Sequence, residues 1–316
     1  MYGTCAKRRS YRCVAFALYS CAGKLWESNV RGKRFKTQAD IDRYIKQGYG
    51  QGEGAKYLPW LSVQDVPSLG RSRKLQGTKV DRVHHLLSDL EYVYFLLLEF
   101  SERVVDIREQ YPLFPTADAQ RIAAEFGIRY PRFKSTQLLF VMTSDFLVTL
   151  RDGSGQLKLA VRTLKYDKDL ADPSNCQRTV EKFELERAIW TDHGVDDWKI
   201  VTHQSIGAVA ARNLQWLRKG AKDSVDRQLL RPDLQEQFMD ALEYFMQKDR
   251  TLSSLIRSAA HAIRCPYSEA VTLFKHQVWN KSILFDITGE ELQLTGRCPE
   301  LRFGDFGQSS DRLKAA

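Results

Sequence analysis

The sequence predicts an α/β fold in which a mixed sheet flanked by helices is followed by a mainly helical C-terminal region. Between residues 90 and 203, helical and strand-like segments alternate in the order α-β-β-β-α-β. Beyond residue 203 most segments have helical periodicity. The chain has 316 residues, of which 43% are hydrophobic. That length makes two domains the default expectation, and the apolar content is enough for ordinary cores.

The elements of the first domain follow from the spacing of its apolar residues. A core-facing helix has apolar residues three and four positions apart, whereas a half-buried strand alternates apolar and polar residues. An Asp-Gly pair at Asp152 joins two of the strands and is a strong hairpin signal. In chain order we predict a short helix at Lys36–Lys46, a helix at Tyr92–Glu99, strands at Val104–Leu113, 138–148 and Leu157–Leu164, a helix at Thr179–Trp190 and a strand at Trp198–Thr202.

The C-terminal region has the layout of a winged helix. We predict helices at 206–218, 232–247, 251–264 and Tyr267–Trp279, followed by strands Ser282–Thr288 and Leu292–Thr295 that pair with each other. Domains of this layout bind DNA or proteins. The expected organisation is a basic tail at 1–35, a catalytic domain at 36–203 and a winged-helix-like domain at 204–316.

The net charge of +9 belongs to the tail. Residues 1–36 contain nine of the 48 Lys and Arg residues and only one of the 39 acidic residues. The other 280 residues are almost balanced, with 39 basic and 38 acidic side chains. A nucleic-acid surface on the folded body must therefore be a local patch.

The six cysteines contain no CxxC pair, which favours reduced thiols and a cytoplasmic protein. No segment approaches the roughly 20 apolar residues of a membrane span, so we expect no membrane association.

Three charged residues are the strongest candidates for chemistry. Glu91 stands at the start of the first predicted core helix, Asp145 lies between two apolar runs, and Lys165 ends the strand after the hairpin. Two carboxylates and a lysine in this order are what metal-dependent phosphodiester cleavage requires. A strand-end aspartate facing water is the alternative for Asp145. Restriction-type nucleases have an acid or amide two positions before the lysine, where this chain has Thr163.

Several basic residues are candidates for DNA contact. They lie in the basic segment after Gly70, in the run that leads to Glu91, and near the middle of the predicted strand Val104–Leu113; they are Arg71, Arg73, Arg82, His84, His85 and Arg108. Adjacent histidines on a strand point to opposite sides and poorly share one metal ion. A structural hydrogen bond is the competing interpretation for either histidine.

Motifs between about residues 40 and 203 resemble the TnsA family, the endonuclease subunits of heteromeric cut-and-paste transposases. The resemblance weakens over 204–316 and is absent over 1–35. The motifs are Gly48-Tyr-Gly-Gln-Gly, Tyr57-Leu-Pro-Trp-Leu, Val66-Pro-Ser, Gly70-Arg-Ser, Arg82-Val-His-His-Leu-Leu-Ser-Asp-Leu-Glu, Asp106-Ile-Arg-Glu-Gln, Ser144-Asp-Phe-Leu-Val and Glu181-Lys-Phe-Glu-Leu-Glu-Arg.

The resemblance implies a restriction-endonuclease-like fold and the same catalytic residues, Glu91, Asp145 and Lys165. It implies Mg²⁺ as the cofactor, with Mn²⁺ as a possible substitute, and metal ligands at Glu91, Asp145, the Leu164 carbonyl and Glu186. Thr163 departs from the family's usual glutamine. The implied activity is cleavage of the 5′ ends of a transposon, the non-transferred strands.

The resemblance also implies three partners: the DNA of the transposon ends, a DDE-type transposase that cuts and joins the 3′ ends, and an AAA+ ATPase regulator bound by the C-terminal domain. Two other classes stay open, a free-standing restriction or repair nuclease and a catalytically silent adaptor. DNA reading by the C-terminal domain is the alternative to ATPase binding, although Tyr267–Trp279 offers only Lys275 as a cation.

Overall fold

The computed structural model describes residues 35–65, 71–133, 136–170, 176–221, 224–246 and 250–304. The predicted basic tail lies outside these residues, except for Phe35. None of the helices in the described part of the chain is long and apolar enough to cross a membrane.

The N-terminal part contains the predicted mixed α/β elements. In chain order they are α1 Gln38–Lys46, β1 Arg73–Gln76, β2 Val83–Leu86, α2 Asp89–Phe100, β3 Val104–Pro112, α3 Thr116–Glu125, β4 Thr143–Arg151, β5 Leu157–Leu164, α4 Asp167–Leu170, α5 Cys176–Asp192 and β6 Trp198–Val201.

The C-terminal part is helical and ends in a very short ribbon. Its elements are α6 His203–Ile206, α7 Ala208–Leu217, α8 Pro232–Phe245, α9 Leu252–Ala262, α10 Tyr267–Trp279, β7 Ile283–Leu284 and β8 Arg302–Phe303. The four longer helices agree with the predicted ones, and α10 has the predicted bounds.

The central sheet has the order β3-β4-β5-β6. β3 and β5 each pair antiparallel with β4, whereas β6 runs parallel to β5. The predicted hairpin between β4 and β5 is confirmed, because the Asp152 N–H donates to the Gln156 carbonyl and Gly155 has a φ of +86°. The fold is therefore the mixed sheet flanked by helices that the sequence predicts.

Two expectations need correction, and some elements were not predicted. Residues 138–142 precede β4 as an irregular segment, with one bridge between Leu139 and Arg132. The β1–β2 hairpin and helix α3 were not predicted from the sequence. The predicted pairing of Ser282–Thr288 with Leu292–Thr295 is wrong, because β7 pairs with β8 instead. A run of alternating residues does not say which later segment will supply its hydrogen-bonding partner.

The two halves of the chain share one hydrophobic core. Buried residues of α2 such as Tyr94 and Phe95 belong to the same cluster as Leu214 of α7 and Phe274 of α10. The ring of Phe100, at the end of α2, lies 5.5 Å from that of Trp279. The C-terminal helices therefore help to hold the helix whose first turn carries the predicted catalytic residue Glu91.

Candidate active site

Glu91 is fixed in the first turn of α2. Ser88 caps the helix by accepting a hydrogen bond from the Glu91 N–H at 3.1 Å. The carboxylate in turn accepts from the Leu87 N–H at 2.9 Å and from the Ser88 hydroxyl at 3.1 Å. Side-chain acceptors at a helix start satisfy N–H groups that have no partner within the helix. The local sequence Ser88-Asp-Leu-Glu91 thus places a buried carboxylate at the edge of the sheet.

Asp145 lies at the point where β4 and β5 separate. Regular pairing of these strands ends at Phe146 and Arg162. One residue further on, an Asp145 carboxylate oxygen accepts the Leu164 N–H at 2.6 Å. Through this bond the half-buried Asp145 contacts Leu164, whose carbonyl is one of the expected metal ligands.

Lys165 follows β5 directly and is held between two elements. Its N–H donates to the Val201 carbonyl at 3.0 Å, which continues the pairing with β6. The hydroxyl of the next residue, Tyr166, accepts from the Leu90 N–H at 3.3 Å. The chain around the lysine is thereby anchored to the start of α2, beside Glu91.

The electrostatics of the two carboxylates favour a bound cation. Burial, and secondly the neighbouring Asp145 carboxylate, raise the pKa of Glu91 to about 8. Hydrogen bonds from Leu87, Ser88 and Gln110 act in the opposite direction without overcoming these two effects. Two neighbouring carboxylates repel each other when both are ionised. A nearby cation offsets this repulsion, so such a pair favours cation binding. The structure therefore brings the predicted acidic pair together.

Glu186 is close to this site but has other partners. One of its carboxylate oxygens accepts from Ser144 and from Thr163, each at 2.6 Å. Its other oxygen is buried and has no hydrogen-bond partner among the described residues. Burial is the main reason that the pKa of Glu186 is raised. Thr163, which stands in place of the usual glutamine, thus serves as a hydroxyl donor to Glu186.

Within the described residues, no group of three His, Cys, Asp or Glu side chains could hold a metal ion. Glu186 therefore does not join Glu91 and Asp145 in one cluster, and its role as a direct ligand stays a prediction.

Lys182 is a residue of this region that the sequence analysis missed. It lies one helical turn before Glu186 on α5. Burial, and secondly the Lys165 ammonium, lower its pKa, while Glu186 and Asp145 act in the opposite direction. The (i, i+4) spacing of Lys182 and Glu186 was the available signal, but exposed helix faces show the same spacing.

Arg82, His84 and Arg108 correct the predicted list of DNA contacts, because all three are buried. The Arg82 guanidinium donates to both oxygens of Glu109, at 2.7 and 2.5 Å. His84 Nδ1 lies 2.9 Å from the same carboxylate. Burial alone would raise the pKa of Glu109, but the bonds from Arg82 and His84 outweigh it and hold that pKa at about 2. Arg82 and His84 therefore join the β1–β2 hairpin to β3.

Arg108 and His85 also have partners within the protein. The Arg108 guanidinium lies 3.3 Å from Asp106 and 3.5 Å from Glu53. His85 accepts the Val63 N–H at 3.2 Å and is half-buried, and this burial is the main cause of its lowered pKa.

Arg71 is exposed to solvent, and Arg73 is partly exposed. The Arg71 side chain is 81% exposed and that of Arg73 is 28% exposed. Both pair with Asp89, two residues before Glu91, and the Arg73 guanidinium lies 4.1 Å from the centre of the Tyr92 ring. Of the six predicted contacts, these two arginines pair with Asp89 in the first turn of α2, the turn that also carries Glu91.

Comparisons with known proteins match most of this chain to one family. The family model described as "TnsA-like endonuclease N terminal" matches residues 101–203, and "TnsA endonuclease C terminal" matches residues 205–287. The chain is 42% identical over 195 residues to the Transposon Tn7 transposition protein TnsA of Escherichia coli. That alignment covers 61% of this chain and 67% of the relative.

Proposed function

Because this chain belongs to the TnsA family of transposon endonucleases, we propose that it cuts the 5′ ends of its transposon, the non-transferred strands, in a Mg²⁺-dependent reaction. The observation that carries the proposal is the mutual placement of three residues. The Asp145 carboxylate lies close enough to Glu91 to raise the pKa of Glu91, and Asp145 accepts a hydrogen bond from the residue before Lys165.

The residues present fit a divalent metal ion. Glu91 and Asp145 offer carboxylates. Leu164, whose N–H donates to Asp145, offers its backbone carbonyl. Mg²⁺ usually binds one or two carboxylates and keeps several water ligands, so a third acidic side chain is not required. Mn²⁺ can take the same ligands. When bound, the ion supplies Lewis-acid activation of water and phosphate.

The protein's own groups complete the chemistry. Lys165 directly follows Leu164, and its ammonium would counter negative charge that develops on the attacked phosphate. Lys182 adds a second positive charge near Lys165 and Asp145. Glu186 supports the site indirectly. Its hydrogen bonds to Ser144 and Thr163 fix the strands that lead to Asp145 and Lys165.

DNA is expected to approach over Arg71 and Arg73, because phosphate contacts from arginine position a duplex without reading its sequence. The further partners are a DDE-type transposase, which acts on the 3′ ends, and an AAA+ ATPase bound by the helical C-terminal region. The family membership supports these partners, as well as a cytoplasmic site of action. Since the C-terminal helices share a core with α2, ATPase binding is best tested with the full chain.

Strand-specific mapping of nicks at the transposon ends tests the proposed activity. The full chain is incubated with end DNA and Mg²⁺, with and without the companion transposase. We expect nicks at the 5′ ends that are lost in Glu91→Ala, Asp145→Ala and Lys165→Ala, while 3′ cutting by the companion persists. Normal 5′ nicking by Glu91→Ala or Asp145→Ala would contradict the proposal.

A further inference from the structure

Gln110 has an unusual backbone for a residue of a sheet. The β3–β4 register pairs Glu109 with Phe146 and Tyr111 with Ser144, so that Gln110 lies opposite Asp145. Its φ is +50°, in the left-handed region that non-glycine residues rarely adopt. Such a conformation is unfavourable for a residue with a side chain and persists only where the surroundings impose it.

The surroundings of Gln110 do impose it, from two separate segments. The Gln110 carbonyl accepts the Trp60 N–H at 3.3 Å, and the preceding carbonyl, that of Glu109, accepts the Tyr57 hydroxyl at 3.0 Å. The Glu109 side chain is fully buried and bound by Arg82 and by His84. The peptide units on both sides of Gln110 are therefore fixed, and the left-handed turn between them is maintained.

The consequence is a hydrogen bond to the catalytic carboxylate. The Gln110 side chain is buried, and its Nε2 donates to Glu91 at 3.3 Å. Among the described residues, Leu87 and Ser88 also donate to this carboxylate, but they belong to its own helix start, whereas Gln110 comes from the sheet. Gln110 thus connects the carboxylate of Glu91 to the strand that pairs with the Asp145 strand.

We propose that Gln110 is a positioning residue for the metal site, which orients the Glu91 carboxylate toward Asp145. An amide suits this role because it donates a hydrogen bond without bringing charge. A lysine or arginine there would neutralise the carboxylate and compete with a metal ion, and a glutamate would repel it. The inference rests on the proposed function, since it assumes that Glu91 and Asp145 hold the ion.

The test measures Mn²⁺ binding to the full-length chain by calorimetry without DNA, and Mg²⁺ dependence of single-turnover nicking. Gln110→Met keeps the volume of the side chain but removes the donor. Gln110→Gly removes the donor and also relieves the left-handed backbone, so a loss of metal affinity shared by both variants reports on the missing donor rather than on backbone strain. Outer ligand partners typically contribute 10- to 100-fold in metal affinity or activity. We expect both variants to weaken Mn²⁺ binding about 10-fold and to raise the half-saturating Mg²⁺ concentration in parallel.

Gln277→Met is the matched control, because Gln277 is a buried glutamine on α10 that donates to Gln235. It should alter the melting temperature without changing Mn²⁺ affinity. Wild-type Mn²⁺ affinity in both Gln110 variants would overturn the inference. If Glu91→Ala itself bound Mn²⁺ as the wild type does, the proposed metal site would fail instead, which separates the two conclusions.

Discussion

Glu91→Gln should make the metal-free protein less sensitive to pH. Burial and Asp145 raise the pKa of Glu91 from 4.5 to about 8. Between these two values the folded protein holds a proton that the unfolded chain has released. The stability from this group is therefore complete below pH 4.5 and is lost as the pH rises through 8.

The size of the effect follows from proton linkage. One proton held only by the folded state changes the free energy of unfolding by about 1.4 kcal/mol per pH unit. From about pH 5.5 to pH 7.5 the wild type should lose about 3 kcal/mol through Glu91 alone. Glutamine keeps the size of the side chain and does not titrate, so Glu91→Gln should lack this part of the slope. Saturating Mg²⁺ should also flatten the wild-type profile, because the ion takes the place of the proton.

Urea denaturation with a chelator at several pH values provides the measurement. Other titrating groups are common to both proteins, so the difference between their slopes reports mainly on Glu91. Asp145→Asn should flatten the profile partly, since it removes the second cause of the shift. Glu243→Gln, which changes an exposed residue of α8, should keep the wild-type slope. Parallel profiles for the wild type and Glu91→Gln would refute the reasoning.

Two further predictions concern the residues around the site. Glu109→Gln should destabilise the protein by about 3–5 kcal/mol in urea denaturation, because it leaves the buried Arg82 charge without its partner; a change below 1 kcal/mol would show that the pair is not structural. Arg71→Ala should weaken binding to any DNA sequence and reduce the slope of log K against log salt by about one. An unchanged salt slope would remove Arg71 from the DNA surface.

Local patterns in the sequence were sufficient for much of the fold. The helix at Tyr267–Trp279 and the strand at Leu157–Leu164 have the predicted bounds, and the Asp-Gly hairpin forms where expected. The position of Glu91 at a helix start also follows from its neighbours, since the Ser88 cap is three residues away. Periodicity, capping and turn chemistry act over a few residues, so they can be recognised without knowing the rest of the chain.

Tertiary structure decided which polar residues are buried and which partners they have. The sequence suggests Arg82 and His84 as DNA contacts, yet both are buried, where they bind Glu109 on another strand. β7 pairs with β8 about 20 residues away rather than with the nearer candidate strand. Gln110 donates to Glu91 from a left-handed backbone conformation, and a bond from Trp60, 50 residues earlier in the chain, helps to hold it there. Burial and hydrogen bonding between distant segments set these outcomes, and a local pattern contains no information about them.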